Sequence, residues 1–294
     1  MRKAAILIGM AISAAAAFGA TCGGHGTRAS MLVTPKWLAD HRNDPNLVVF
    51  GVGQKSDFDA AHIPGSVHLD IGSIVIRNGF ELPPIADLAT TFGNLGVSND
   101  SHIVLYMTKD GAFSLTTRAY LTLDAMGLGA QTSLLDGGLG QWQHEGQPVT
   151  AEVCEPKPVK LQPCAQSDVI VDVNFVKSNL SKAGIDLVDA RMKNFYTGET
   201  PGRNMRPGRI PGALNLPYTN LVDQSTGKFL AADAMEKLFQ DSGVKKGDRV
   251  VTYCHIGQTA TVVYFAARYL GYDTRLYDGS FEEWSRLSEL PVEK

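Results

Sequence analysis

The chain has 294 residues, 44% hydrophobic and 19% charged, the make-up of a globular protein with a sizeable core in one large or two ordinary domains. Its formal charge of −3 argues against a nucleic-acid partner or a basic membrane-binding face. Met1-Arg2-Lys3 is a short positive region, and residues 4–20 form an unbroken run of apolar and small residues with Ala15, Ala17 and Gly19 at its end. This pattern reads as a secretory signal peptide over residues 1–20, so an exported and periplasmic location is expected. The run of 17 residues is short of the roughly 20 needed to span a bilayer. Cys22 follows it, and lipid anchoring there is the alternative to release. The preceding Gly19-Ala20-Thr21 lacks the Leu and the small last residue of a good lipid-attachment signal.

Thr34 followed by Pro35 signals a helix start, since a hydroxyl caps free amides and proline suits the first helical position. A buried strand is expected over 47–52 and a short polar helix over 57–62. The turn Ile63-Pro64-Gly65, a strand over 66–70 and a helix over 85–95 closed by Gly96 come next. A strand over 102–106, a loop at 108–111, a helix over 114–126 and a strand over 131–135 lead into Asp136-Gly137-Gly138 and Trp142. Residues 151–166 are rich in proline and read as a linker. Cys154 and Cys164 lie within it, and in an oxidising compartment they are expected to pair and close a small loop.

The order then repeats. Asp172 opens a helix, and 185–189 is a strand. Ile210-Pro211-Gly212-Ala213 matches Ile63-Pro64-Gly65-Ser66. A helix over 232–242, a strand over 248–253, a helix over 259–270 and a strand over 274–277 end in Asp278-Gly279 and Trp284. From Ile63 to Asp136 is 73 residues, and from Ile210 to Asp278 is 68. Two ordered motifs at similar spacing imply a duplicated α/β domain, over 31–150 and 167–292, with alternating strands and helices building largely parallel sheets.

Cys254 sits where the second copy turns from strand to helix. Helix amides and the macrodipole favour negative charge there, and with it a thiolate. The alternative is a small buried core residue. An unpaired thiol in an exported protein singles it out.

The two Ile-Pro-Gly turns, the strand-Cys-loop-helix unit and the closing Asp-Gly-x-x-x-x-Trp resemble the tandem-domain rhodanese (thiosulfate/3-mercaptopyruvate sulfurtransferase) family over most of the chain. That resemblance implies two tandem rhodanese-like domains, each a parallel five-stranded sheet flanked by helices. It makes Cys254 the nucleophile that takes a sulfane sulfur as a persulfide. Its cradle would be the six-residue loop Cys254-His255-Ile256-Gly257-Gln258-Thr259, whose amides stabilise both anions. The related phosphatases use a longer loop ending in arginine, but here that position is Ala260. In the first copy Met107 stands opposite Cys254, so that domain is expected to form one wall of a cleft.

The resemblance also sets expectations for the donor, thiosulfate or a similar anion, with cyanide or a thiol as acceptor. A 3-mercaptopyruvate or polysulfide sulfurtransferase, and a non-catalytic sulfur-binding or redox partner protein, stay open as alternatives. Arg191, in Asp189-Ala190-Arg191, matches an arginine that ties the domain internally or contacts the donor. Phe195 stands where relatives commonly place the anion-binding arginine. Arg203 is the preferred substitute among Arg203, Arg206 and Arg209. His255 is expected to help bind the donor as a protonated imidazole, losing charge around neutral pH. Ile256 stands where mercaptopyruvate enzymes carry serine. The other histidines show no metal-ligand spacing, so neither metal nor cofactor is expected.

Overall fold

The computed structural model describes residues 24–76, 81–203 and 205–294. The expected signal peptide and Cys22 lie outside the described residues. Two five-stranded sheets form the protein. The first contains β1 (Leu32–Val33), β2 (Leu47–Val52), β3 (Val67–Leu69), β4 (His102–Met107) and β5 (Thr132–Leu135), in the order β1-β5-β4-β2-β3. The second contains β6 (Ile170–Val171), β7 (Ile185–Asp189), β8 (Leu214–Asn215), β9 (Arg249–Tyr253) and β10 (Thr274–Tyr277), in the order β6-β10-β9-β7-β8. Every pairing is parallel. The orders are the same position for position, as duplication requires. Central strands β4 and β9 are apolar runs buried on both faces, which suits strands covered by helices.

The repeated motifs recur as repeated bonds. Tyr106 Oη accepts from the Ile63 N–H at 3.2 Å, and Tyr253 Oη accepts from the Ile210 N–H at 3.2 Å. Trp142 Nε1–H donates to the Pro148 carbonyl, and Trp284 Nε1–H to that of Pro291, both at 2.8 Å. Each closing tryptophan therefore locks the end of its own domain. The expected helices at 85–95, 114–126, 232–242 and 259–270 are present as Ile85–Asn94, Phe113–Ala125, Ala232–Asp241 and Ala260–Tyr269. The polar helix lies at Lys55–Ala60, slightly earlier than expected. Strands β1 and β6 carry only two residues each, too few to show a sequence period.

Helices Phe113–Ala125 and Ala260–Tyr269 face each other and join the two domains. Thr117 and Thr261 share a hydroxyl hydrogen bond of 2.7 Å, and the rings of Tyr120 and Phe265 meet edge to face. Tyr264 Oη–H donates to buried Asp124 at 2.6 Å, and Asp124 also holds the His25 ring at 2.9 Å. That bond to Asp124 raises the His25 pKa above its ordinary value. Asp124 is thus a polar knot among three chain segments.

The expected Cys154–Cys164 bridge is not made. Cys154 is free and exposed, whereas Cys164 is disulfide-bonded elsewhere. The linker is drawn along the first domain by successive anchors instead of curling back. Thr150 and Glu152 hold its start against His62, Val159 N–H donates to the Gly93 carbonyl, and Leu161 is buried. Cys164 N–H donates to the Met126 carbonyl at the far end. Cys154→Ser should therefore lower by one the thiols titrated in denatured, unreduced protein. A Cys154–Cys164 bridge would instead raise that count by one.

Candidate active site

β9 ends at Tyr253, and Cys254 follows at the C-terminal edge of the sheet, where parallel α/β folds place ligands. Its residue is only 1% exposed. Its backbone is clamped on both sides by the chain after β10. Cys254 N–H donates to Ser280 Oγ at 3.2 Å, Ser280 Oγ–H donates to the Tyr277 carbonyl, and Phe281 N–H donates to the Cys254 carbonyl at 3.0 Å. Ser280 holds φ of +54°, a left-handed conformation that costs a non-glycine residue energy and recurs at functional sites.

After Cys254 the chain curls. Gly257 has φ of +81°, and a Cβ there would lie 2.6 Å from the Asp278 carbonyl oxygen, so the position takes glycine alone. The amides of Thr261 and Val262 turn back to the Gln258 and Thr259 carbonyls and start the helix. The amides of His255, Ile256, Gly257, Gln258 and Thr259 donate no hydrogen bond among the described residues. Consecutive unpaired amides around a nucleophile form a ready-made place for an anion.

The first domain holds this loop in shape. Ser114, Thr117 and Arg118 lie on one face of the Phe113–Ala125 helix, at the i, i+3, i+4 spacing. Gln258 Nε2–H donates to Ser114 Oγ at 3.1 Å, and Thr117 meets Thr261. Arg118, fully buried, donates from Nη1 to Asp278 Oδ1 at 2.7 Å and to the Gly257 carbonyl at 3.3 Å. The other Asp278 oxygen accepts from the Leu82 N–H at 2.8 Å. One carboxylate therefore gathers two segments of the first domain against the loop of the second.

The mirror position shows what the first copy lost. Asp136 accepts from the Phe229 N–H at 3.0 Å, as Asp278 does from Leu82. Its pKa is raised by burial, with the Phe229 bond opposing. Met107 occupies the nucleophile's place, and a Cβ on Gly227 would collide with its methyl group. A soft thioether and a close-packed turn fill the space where the second domain keeps a thiol.

The expected donor contacts are distributed unevenly. Arg191 is 2% exposed and binds Asp189 through Nε and Nη2, with Nη2 also donating to the Gly208 carbonyl at 2.8 Å. It stacks 4.1 Å over the Phe281 ring. Burial pulls its pKa down, but Asp189 outweighs this and holds it above the ordinary value. Its donors are thus spent inside the domain. Arg206 donates to the Ser285, Leu290, Trp284 and Leu287 carbonyls, and Arg209 pairs with Glu293. Arg203 is exposed and makes no hydrogen bond or ion pair among the described residues.

His255 departs from its expected charge. Its ring meets Phe195 edge to face at 4.6 Å. Burial, aided by the Arg191 charge, pushes its pKa down to about 4, so it is neutral across neutral pH. Arg118, Ser114 and Ser280 are site residues that motif reading misses. Ser280 was visible as a break in the repeat, since the first copy has Gly138 there. Arg118, one of two charged residues in its helix with Asp124, carries no local signal of its role.

Comparison with known proteins agrees with this geometry. A family model described as Rhodanese-like domain matches residues 34–145 and 172–287. The chain is 29% identical over 273 residues to a 3-mercaptopyruvate sulfurtransferase of Escherichia coli, covering 87% of this chain and 95% of that protein. It is 30% identical over 274 residues to a thiosulfate sulfurtransferase of Rattus norvegicus, covering 87% and 92%. A crystal structure of a 3-mercaptopyruvate enzyme from Escherichia coli superimposes with a TM-score of 0.77 at 27% identity, covering 85% of this chain and 98% of that one. An anaerobic ergothioneine biosynthesis enzyme from Chlorobium limicola shares the fold, with a TM-score of 0.83 at 20% identity over 91% of this chain and 71% of that one.

Arg118→Met should leave Asp278 buried and short of a partner, at a cost of about 3 kcal/mol in stability. Because the loop would also lose its grip, kcat should fall by about 10-fold to 100-fold with KM little changed. Arg118→Lys should recover part of kcat. Denaturant unfolding and steady-state kinetics check both, and a loss of stability at unchanged kcat would give Arg118 a structural role only.

Proposed function

We propose, on the premise that this chain belongs to the tandem-domain rhodanese family of sulfurtransferases, that Cys254 carries sulfur from a small sulfane-sulfur donor such as thiosulfate to cyanide or a thiol. The enzyme is a transferase working through a persulfide. The Cys254 thiolate attacks the outer sulfur of the donor, a sulfur–sulfur bond forms, and the donor's own bond breaks, so that thiosulfate leaves as sulfite. An acceptor then attacks the outer sulfur of the persulfide and regenerates the thiolate.

The observation that carries this reading is the run of five consecutive amides after Cys254, His255 to Thr259, that donate no hydrogen bond among the described residues. They stabilise the thiolate before transfer and the terminal sulfur after it, without a metal. Mercaptopyruvate is the weaker donor candidate, since Ile256 offers no hydroxyl at the position following His255. The near-complete burial of Cys254 favours a second reading, a sulfur-binding partner protein that turns over slowly.

The protein is exported and acts in an oxidising compartment. The apolar leader at residues 1–20 and a disulfide-bonded Cys164 support that placement.

Incubating the protein with thiosulfate should add one sulfur to its intact mass, with none added to Cys254→Ser. Cyanide should then release thiocyanate and restore the original mass. Sulfur that loads but never leaves would favour the partner-protein reading, and no loading from any sulfane donor would contradict both.

A further inference from the structure

The loop can hold a sulfur anion, but the surface around it offers little to the rest of an anionic donor. Thiosulfate and mercaptopyruvate both carry negative charge on the part that is not transferred. Among the described cations near the loop, Arg191, Arg206 and Arg209 are committed to Asp189, backbone carbonyls and Glu293. Among the described residues Arg203, and Lys193 in the helix of Phe195, make no side-chain hydrogen bond or ion pair, and both are exposed, where their attraction is screened by solvent.

The side chains that do gather at the mouth are uncharged. Phe195 stands edge-on to His255 at 4.6 Å. A Cβ on Gly202 would sit 3.3 Å from His255 Cδ2 and 2.7 Å from Met205 Sδ, so this glycine lets Met205 come near the imidazole. His255 is itself neutral near neutral pH because it is packed into this face. Phe195 and His255, with Met205 beside them, thus form an aromatic and thioether wall next to the loop amides.

Resting on the persulfide reading above, we propose that this wall, centred on the Phe195–His255 pair, makes the enzyme selective for an organic persulfide whose non-transferred part is an uncharged apolar group. The Cys254 thiolate attacks the terminal sulfur of R–S–SH. A Cys254–sulfur bond forms with the thiolate's electron pair, the donor's sulfur–sulfur bond breaks, and R–S⁻ leaves with the bonding pair. The transferred atom keeps its proton and its sulfane oxidation level, so no external oxidant or reductant enters. R stacks on Phe195 as it arrives and as it leaves, where burial of an aromatic or alkyl group is favourable. A sulfonate in the same place would lose water and meet only the solvent-screened cations Lys193 and Arg203.

The test compares loading of Cys254, followed by intact mass in single turnover, with benzyl persulfide and with thiosulfate as donors. The wild-type enzyme should load from benzyl persulfide with a second-order rate constant at least about tenfold above that for thiosulfate. Phe195→Arg supplies a charged donor, and a charge-assisted hydrogen bond should improve thiosulfate loading about tenfold or more. The same change should slow loading from benzyl persulfide. Phe195→Leu, which keeps the wall apolar, should preserve the wild-type order. Equal loading by both donors in the wild type, or a thiosulfate rate unmoved in a folded Phe195→Arg protein, would overturn the assignment. If neither donor loads wild-type Cys254, the persulfide reading itself fails and takes this one with it.

Discussion

The active loop depends on one buried ion pair, Arg118 with Asp278, made between the two domains. Replacing such a pair with apolar side chains of the same volume is often neutral or even stabilising, because desolvation offsets the attraction. Its value here is geometric. Arg118 holds the Gly257 carbonyl as well as Asp278, and Asp278 holds the Leu82 amide, so loop curvature and domain apposition are fixed together. Separating the domains would release the loop. The first domain is therefore a working part of the site even though it carries no nucleophile.

Duplication supplied both halves of this arrangement from one scaffold. The two sheets have the same strand order, and the tyrosine and tryptophan ties recur in each. The acidic residue after the last strand also recurs, and in both copies it accepts an amide from the opposite domain. The two copies diverge at the position of the nucleophile. Met107 and the close approach of Gly227 fill one site, while the other keeps a thiol, Cys254, with Gly257 and the strained Ser280 shaping the loop around it.

Most of the fold could be read from the sequence because its repeats are punctuated by residues with strong local reasons to be there. Ile-Pro-Gly turns, glycines closing helices and the Asp-Gly before each last helix fix order and spacing, and Cys254 follows from them. What escaped is what depends on contacts far along the chain. Arg118 and Gly257 are 139 residues apart, and no periodicity links them. The charge of His255 depends on burial against Phe195, which the loop sequence alone does not set. Cys154 and Cys164 invited pairing by proximity, yet the anchors at Val159 and Leu161 take the linker another way.

The unpaired amides of the loop, the clamp from the first domain and the thiol between them make one claim about where the sulfur rests. A crystal structure of the sulfur-loaded enzyme tests it directly. The outer sulfur of the Cys254 persulfide should lie within about 3.5 Å of several of the His255–Thr259 amide nitrogens, with the Arg118–Asp278 pair intact. An outer sulfur turned away from those amides, toward Arg203 or solvent, would contradict it.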